Sequence, residues 1–282
     1  MKMDAGVGRV VVLSDLHMGR VGRGAGSADA VRGLWRGAER VVLNGDTAET
    51  RNKRRRDEAH RRVEELKRAA AEDGVELVLV AGNHDPNVSE VDWVELCGGA
   101  VVATHGDILH LAVAPWSDVD GRLEGESREA LAGLGATAQG ADLATRAEAI
   151  KRASARHWRK TMQGRYEKRE RGVAGRWAVK AQKASLVLYY WWAMPRRAMR
   201  FAEAEFSECA VFVFGHIHRP GVWVDRAARG GRGRVVLNTG AFRLPKRPRA
   251  VVIEGGEAAM YKVVGGAGRG FRLGKAVYRG AF

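Results

Sequence analysis

Five runs of apolar residues, each followed at once by a short polar block, limit most strongly what this chain can fold into. Continuous rather than alternating apolarity predicts strands that are buried on both faces, as in a parallel sheet covered by helices. The polar blocks then follow the carboxyl ends of the strands, where open α/β sheets bind ligands. The five runs are Val10-Val11-Val12-Leu13, Val41-Val42-Leu43, Leu77-Val78-Leu79-Val80, Val101-Val102-Ala103 and Val211-Phe212-Val213-Phe214.

The polar blocks supply carboxylate, imidazole and amide side chains, which are ligands for metal ions. The blocks are Asp15-Leu16-His17, Gly45-Asp46, Gly82-Asn83-His84-Asp85, His105-Gly106-Asp107 and Gly215-His216-Ile217-His218. Such ligands without thiolate favour Mn, Fe, Zn or Mg over softer ions. Seven potential metal ligands at the ends of parallel strands predict a centre for two divalent ions.

Charge and cysteine content restrict the class of protein further. The 282-residue chain has a formal net charge of +15, which predicts an anionic partner: a phosphorylated substrate, a nucleic acid or an acidic lipid surface. Its two cysteines, Cys97 and Cys209, support neither a disulfide framework nor a thiolate zinc site, and they favour a reducing cytosol. No run approaches the roughly 20 apolar residues of a membrane-spanning helix. We expect no cleavable signal peptide, because the strand that delivers Asp15 begins close to the N-terminus.

The order of patterns along the chain predicts a single domain, residues 1–282, with one insertion. Strand and helix patterns alternate from residue 9 to about 110, with helices predicted near Ala28–Ala38 and Arg54–Ala71. Residues 111–208, rich in Ala, Arg, Glu and Lys, are predicted to be mostly helical.

The C-terminal part predicts further strands. Four short strand patterns joined by Gly-rich turns follow His218, and they are expected to form a second sheet. The Gly-rich tail from Gly265 is predicted to be loosely ordered, apart from an edge strand at Ala276-Val277-Tyr278.

The insertion is both basic and aromatic. Lys and Arg dominate from Lys151 to Lys183, where the acidic residues are Glu167 and Glu170. An apolar and aromatic segment, Leu186-Val187-Leu188-Tyr189-Tyr190-Trp191-Trp192, follows. Such a combination favours an amphipathic lid or an interfacial contact. A solvated helix face for the charges and core packing for the aromatic rings are the alternatives.

The five blocks resemble, in order and composition, the calcineurin-like metallophosphoesterase family. Its pattern reads DxH, GDxx(D/E), GNH(D/E), an isolated His often in HG, and GHxH. All five elements are present, and Glu49 completes the second one as Gly45-Asp46-Thr47-Ala48-Glu49. The resemblance, which spans Asp15 to His218, implies an α/β fold. In this fold two mixed β-sheets pack as a sandwich flanked by helices, in α/β/β/α order, and here a helical insertion is added.

The resemblance also implies a mechanism. Two cations lower the pKa of a bridging water and give a hydroxide in line with the leaving group. His84 faces the scissile phosphate and protonates the leaving oxygen or stabilises charge, and Asp85 orients His84. Manganese is the metal that the resemblance favours, with Fe, Zn or Mg as alternatives. The implied ligands are Asp15, His17, Asp46 and His218 for one ion, and Asp46, Asn83, His105 and His216 for the other.

Within the family, the block spacing and the basic insertion look most like the UDP-2,3-diacylglucosamine pyrophosphatase-like branch, whose best-known members have Arg where His84 stands. This likeness implies a lipid-linked sugar nucleotide as substrate, a cytoplasmic enzyme peripheral to the inner face of the membrane, and substrate contacts from Asp107, Arg196 and Arg197. A nucleotide phosphodiesterase or a phosphoprotein phosphatase is the alternative enzyme. A basic nucleic-acid-binding protein is the alternative of another class.

Overall fold

All five apolar runs form β-strands in the structure, which is a computed structural model of the chain. It describes residues 1–3, 8–20, 24–51, 54–118, 120–162, 173–225, 233–243, 248–266 and 268–282. The strands are β1 (Val10–Leu13), β2 (Arg40–Asn44), β3 (Glu76–Val80), β4 (Trp93–Leu96), β5 (Val101–Thr104), β6 (Val211–Phe214), β7 (Gly221–Asp225), β8 (Arg234–Asn238), β9 (Arg249–Glu254), β10 (Glu257–Gly266) and β11 (Gly270–Ala281). The helices are α1 (Ala28–Arg32), α2 (Arg56–Glu72), α3 (Arg122–Gly133), α4 (Leu143–Met162) and α5 (Val173–Glu205).

The described residues form two compact units. The first contains Met1–Gly106 and Ala198–Phe282, and the second contains Asp107–Arg197. All the strands therefore belong to the first unit, together with α1, α2 and the last turns of α5.

Two mixed sheets build the first unit. The first sheet has the order β11-β10-β9-β1-β2-β3, in which β1, β2 and β3 are parallel and β9 is antiparallel to β1. The second has the order β4-β5-β6-β8-β7, in which β5, β6 and β8 are parallel. Every position of β1, β2, β5 and β6 is buried, as the continuous apolar runs predict.

Two predictions about the C-terminal strands were wrong. β9, β10 and β11 extend the first sheet, and of the strands after His218 β7 and β8 join the second. The tail is not loosely ordered either, since β11 pairs with β10 over most of its length. The reason is the open edge of β1, whose buried backbone groups need a partner on the side away from β2; β9 supplies it.

The two sheets share a core and are covered on both outer faces. Inner-face residues such as Val12 and Val213, one from each sheet, belong to the same buried cluster. On the outer face of the first sheet, Leu66 of α2 belongs to a second cluster. On the outer face of the second, the Phe201 ring of α5 lies 6.0 Å from the Phe212 ring. The α/β/β/α order implied by the resemblance is confirmed.

Helices make up the second unit. Lys160 Nζ of α4 lies 3.0 Å from Glu126 Oε1 of α3, and this buried carboxylate ties the two helices together. Residues 163–172 of the predicted basic stretch lie outside the described residues. None of the helices in the described part of the chain combines the length and the apolarity that crossing a membrane requires.

Candidate metal centre

The backbone is strained at five of the predicted metal ligands. Positive φ angles between 48° and 67° occur at these non-glycine residues, a region that costs L-residues on the order of 1–3 kcal/mol each. Backbone hydrogen bonds hold the first loops in place: the Asp15 N–H donates to Gly45 O at 3.0 Å and the His17 N–H donates to Asp46 O at 2.9 Å. Such strain persists where the surroundings enforce it and is concentrated at functional sites. The five residues are Asp15, His17, Asp46, His216 and His218.

Four predicted ligands from three loops meet in one cluster. Ligand atoms of Asp15, His17, Asp46 and His218 all lie within 4.8 Å of one another. His218 Nε2 is 3.0 Å from Asp15 Oδ1 and 3.1 Å from His17 Nε2. His17 Nε2 is 3.9 Å from Asp46 Oδ2. The chain thus brings together the residues that the resemblance assigns to the first ion.

The chemistry of this cluster fits a divalent cation. Asp15 Oδ1 is buried and has no hydrogen bond of good geometry among the described residues, although His218 Nε2 is 3.0 Å away. The Nε2 atoms of His17 and His218 lie 3.1 Å apart, and an imidazole nitrogen without a proton is a ligand for a divalent ion. A cation between these atoms would satisfy the carboxylate and both nitrogens at once.

A second group of predicted ligands shares Asp46 with the first. His105 Nε2 lies 3.3 Å from Asp46 Oδ1 and 3.2 Å from Asn83 Oδ1, and the His105 and His216 rings are 5.0 Å apart. His105 Nδ1 lies 3.1 Å from the carbonyl oxygen of Asn44, so the bond assigns the proton to Nδ1 and leaves Nε2 as a ligand atom. Asp46 therefore presents Oδ2 to one group and Oδ1 to the other.

Electrostatics keeps Asp46 ionised. Burial on its own would raise the pKa of Asp46, but the neighbouring His105 and His84 hold this pKa well below its ordinary value. A carboxylate that is charged and lies between two groups of ligands can bridge two cations.

Glu49 clamps two imidazoles beside this carboxylate. Its Oε1 is 3.0 Å from His17 Nδ1 and 3.3 Å from Arg20 Nη1, and its Oε2 is 3.1 Å from His84 Nδ1. Burial would raise the pKa of Glu49, yet the hydrogen bonds from His17 and His84 lower it well below the usual range. Each imidazole donates a hydrogen bond from its Nδ1–H to Glu49, so each Nε2 is free to face the centre.

The role predicted for Asp85 was wrong. Its Oδ1 accepts hydrogen bonds from the backbone N–H of Asp46 at 3.0 Å and of Gly82 at 3.1 Å, and its Oδ2 accepts one from Ala48 at 3.0 Å. Burial raises the pKa of Asp85 to about 7, and the charge of Asp46 adds to this effect. Asp85 therefore braces the loops that carry Asp46, and the carboxylate that orients His84 is Glu49. Sequence spacing singled out Glu49 as part of the second block but did not show which imidazoles it contacts.

His84 occupies the accessible side of the cluster. Its side chain is 33% exposed, whereas those of His17 and Asp46 are 1% exposed, and its Nε2 is 3.9 Å from Asp46 Oδ2. A group that must meet a substrate has to be reachable from solvent, and His84 meets that condition.

The three predicted substrate contacts belong to the second unit. Asp107 begins a short 3-10 helix, Asp107–Leu109, and its Oδ1 accepts a hydrogen bond from the Ile108 N–H at 3.1 Å. The Arg196 guanidinium lies 4.0 Å from the centre of the Trp192 ring, and Arg197 Nη1 donates to Leu109 O at 3.0 Å.

Replacing Glu49 by Gln is expected to weaken Mn²⁺ binding by about 10- to 100-fold. A glutamine offers one oxygen, so it can accept a hydrogen bond from one imidazole while its NH₂ group opposes the other Nδ1–H. Competition with a fluorescent chelator measures the affinity. The control is Glu90→Gln, at an exposed position, and equal Mn²⁺ affinity of both variants would contradict the clamp.

Comparison with known protein families agrees with the geometry of the centre. The model of the calcineurin-like phosphoesterase superfamily domain matches residues 9–255. Among curated proteins, no sequence matches the chain.

Several solved structures are similar at low sequence identity. A conserved protein of Streptococcus pneumoniae, described as a predicted phosphoesterase, is 15% identical over 99% of this chain and 100% of its own, with a TM-score of 0.39. Vacuolar Protein Sorting 29 from Cryptosporidium parvum is 12% identical over 98% and 100%, with a TM-score of 0.41. A metallophosphoesterase from Sphaerobacter thermophilus is 14% identical over 95% and 89%, with a TM-score of 0.32. At these scores the likeness carries no conclusion about activity.

Proposed function

The chain belongs to the calcineurin-like phosphoesterase superfamily, and from this premise we propose that it hydrolyses a phosphate ester or a pyrophosphate bond with two divalent metal ions. The observation that carries the proposal is the position of Asp46, whose two carboxylate oxygens face two separate groups of ligands. Phosphoryl transfer needs positive charge on both the attacking and the leaving side, and paired cations on one bridging carboxylate supply it.

The proposed ligands divide between the two ions. Bound divalent ions in such a site act as Lewis acids on the phosphoryl group and make water more acidic. Manganese is the metal that we propose, and the oxygen and nitrogen donors also suit Fe, Zn or Mg. One ion would be held by Asp15, His17, Asp46 and His218, and the other by Asp46, Asn83, His105 and His216.

His84 is the proposed general acid. Glu49 holds its Nδ1, which directs Nε2 of the accessible ring toward the centre, 3.9 Å from Asp46 Oδ2. Before the reaction, the carboxylate of Glu49 balances the positive charge of the His84 imidazolium. As the bond between phosphorus and the leaving oxygen breaks, the oxygen takes a proton from His84 Nε2 and the imidazole becomes neutral. Asp85 supports this arrangement through the loop backbone.

A lipid-linked sugar nucleotide is the substrate that we propose for this centre. The support is the resemblance of the block spacing and of the basic, aromatic insertion to the pyrophosphatase branch. In this proposal the chain is a single domain, residues 1–282, whose insertion at about 111–208 contacts an anionic membrane. The proposed substrate contacts are Asp107, which precedes the insertion, and Arg196 and Arg197 within it. The free thiols of Cys97 and Cys209 support a cytoplasmic location at the inner face of that membrane.

A substrate panel with defined metals tests the reaction. Metal-stripped protein is assayed with Mn²⁺, Mg²⁺, Zn²⁺ or Fe²⁺ on p-nitrophenyl phosphate, bis-p-nitrophenyl phosphate and a UDP-sugar with and without acyl chains. We expect turnover that requires added metal and a kcat/KM at least about tenfold higher with the acylated UDP-sugar, because binding energy from the remote chains lowers the barrier.

Each other result of the panel has a definite meaning. Equal rates on both UDP-sugars would contradict the lipid-linked substrate, and preference for a nucleotide diester or a phosphoprotein would replace it. No metal-dependent turnover on any substrate, together with salt-sensitive binding of nucleic acid, would contradict the enzyme itself.

A further inference from the structure

One side of α5 exposes large apolar side chains to solvent. Trp177 is 66% exposed, Leu188 64%, Tyr189 55% and Trp192 57%. At 3.6 residues per turn, Trp177 and Leu188 are about three turns apart and Leu188 and Trp192 about one turn, so they lie along one side of the helix. We call these four residues the aromatic face. It extends over about 22 Å of helix at 1.5 Å per residue.

The opposite side of α5 is anchored within the second unit. The Tyr190 ring lies 5.7 Å from the His110 ring and 6.2 Å from the Trp116 ring. Arg197 Nη1 donates to Leu109 O at 3.0 Å. Because these contacts already fix the helix, the aromatic face is not needed to hold α5 in place. Several large apolar side chains exposed along one side of a helix are typical of an interaction site.

In the segment that carries the aromatic face, every charged residue is a cation. Residues 171–202 contain no Asp or Glu. Two of the cations lie directly on aromatic rings of the face, since Lys180 Nζ is 5.0 Å from the Trp177 ring centre and the Arg196 guanidinium is 4.0 Å from that of Trp192. The cations of this segment are Arg171, Arg176, Lys180, Lys183, Arg196, Arg197 and Arg200.

We propose that the aromatic face binds the interface of a lipid bilayer with anionic headgroups. Tryptophan and tyrosine rings are favourable at headgroup depth, an exposed leucine gains by entering the hydrocarbon boundary, and nearby Lys and Arg are attracted to anionic lipids. This assignment names the surface that touches the membrane and does not depend on the phosphoesterase reaction.

Charge and side-chain type argue against the other occupants. A second copy of the chain would bring two cationic segments together, and their repulsion opposes self-association. A single-stranded nucleic acid would use the rings and the cations for stacking and phosphate contacts. It would leave Leu188, in the middle of the face, without an apolar partner.

Vesicle cosedimentation of the full chain tests the proposal. We expect binding to vesicles of phosphatidylcholine with phosphatidylglycerol, and at least about tenfold weaker binding to phosphatidylcholine alone. The triple variant Trp177→Ser, Leu188→Ser, Trp192→Ser should bind the anionic vesicles at least about tenfold more weakly. The matched control, Val224→Ser with Val277→Ser, removes exposed apolar side chains from β7 and β11 and should bind like the unaltered chain.

The contribution of charge and the entry of the tryptophan rings into the bilayer are tested separately. Lys180→Gln with Lys183→Gln should weaken binding to anionic vesicles, whereas Arg272→Gln with Lys275→Gln, exposed cations of β11, should not. Brominated lipids should quench tryptophan fluorescence, and the quenching should fall in Trp177→Phe with Trp192→Phe, which keeps the face apolar.

Three results would overturn the proposal. They are binding that is the same in the triple variant and its control, dimerisation in sedimentation velocity without vesicle binding, and binding of a single-stranded oligonucleotide without vesicle binding.

Discussion

Replacing Asp46 by Asn is expected to lower metal-dependent kcat/KM by about 10³-fold or more. The carboxylate faces both groups of ligands, so its loss removes negative charge from both proposed ions. Metal ions contribute several kcal/mol of charge stabilisation in the transition state, and each 1.36 kcal/mol is about tenfold in rate. Steady-state kinetics with saturating Mn²⁺ measures the effect.

The matched control for this change is Asp57→Asn, an exposed aspartate in the first turn of α2. It should keep the full rate, and circular dichroism should show that both variants are folded. Activity of the Asp46 variant within about threefold of the control would show that the bridge is misassigned, since loss of a bridging ligand lowers the rate by more than that.

Replacing Gly45 by Ala is expected to destabilise the chain by about 3 kcal/mol or more. Gly45 has a φ of +80°, and a Cβ there would overlap the ring and Cβ of His105. Its carbonyl also accepts the backbone hydrogen bond from Asp15. A shift at Gly45 therefore displaces ligands of both proposed ions, and Mn²⁺ affinity should fall with stability. Chemical denaturation followed by circular dichroism measures the free energy of unfolding.

Gly37→Ala separates backbone strain from steric overlap. Gly37 has a φ of +71°, close to that of Gly45, but its Cβ would meet nothing within 4 Å. We expect a loss of about 1 kcal/mol from the strained φ alone, with normal Mn²⁺ binding. Equal destabilisation by both variants would contradict the close approach of Gly45 to His105.

The sequence predicted the strands that precede the metal ligands because a strand buried on both faces has a recognisable composition. β1, β2, β5 and β6 are covered on both faces, and that requirement forces unbroken apolarity. The ligands could then be located from their position just after each strand. Family patterns added their order, and the structure brings them together from both sheets.

Other elements carry weaker local signals. β4 is short and alternates half-buried with buried residues, and its Trp-Val-Glu-Leu sequence was not predicted as a strand. α1 ends at Arg32, before the predicted end at Ala38, because Gly33 caps it. Which sheet β9, β10 and β11 join depends on the open edge of β1, a long-range property that no local pattern encodes.

The roles of Glu49 and Asp85 show the same limit inside the centre. Both are acids next to predicted ligands in the sequence, and adjacency suggested that Asp85 orients His84. The fold instead turns Asp85 toward backbone N–H groups and brings Glu49 to the Nδ1 atoms of His17 and His84. Residue type and spacing locate an acid near the site, but loop conformation decides which partner it meets.

The number of Mn²⁺ ions that the metal-stripped chain binds at saturation tests the central claim most directly. Equilibrium dialysis followed by elemental analysis gives this number for the unaltered chain and for Asp46→Asn. Because Asp46 faces two separate groups of ligands, we predict two ions per chain for the unaltered protein and fewer for the variant. Saturation of the unaltered chain at one ion or none, or an unchanged number in Asp46→Asn, would contradict a dinuclear centre bridged by Asp46.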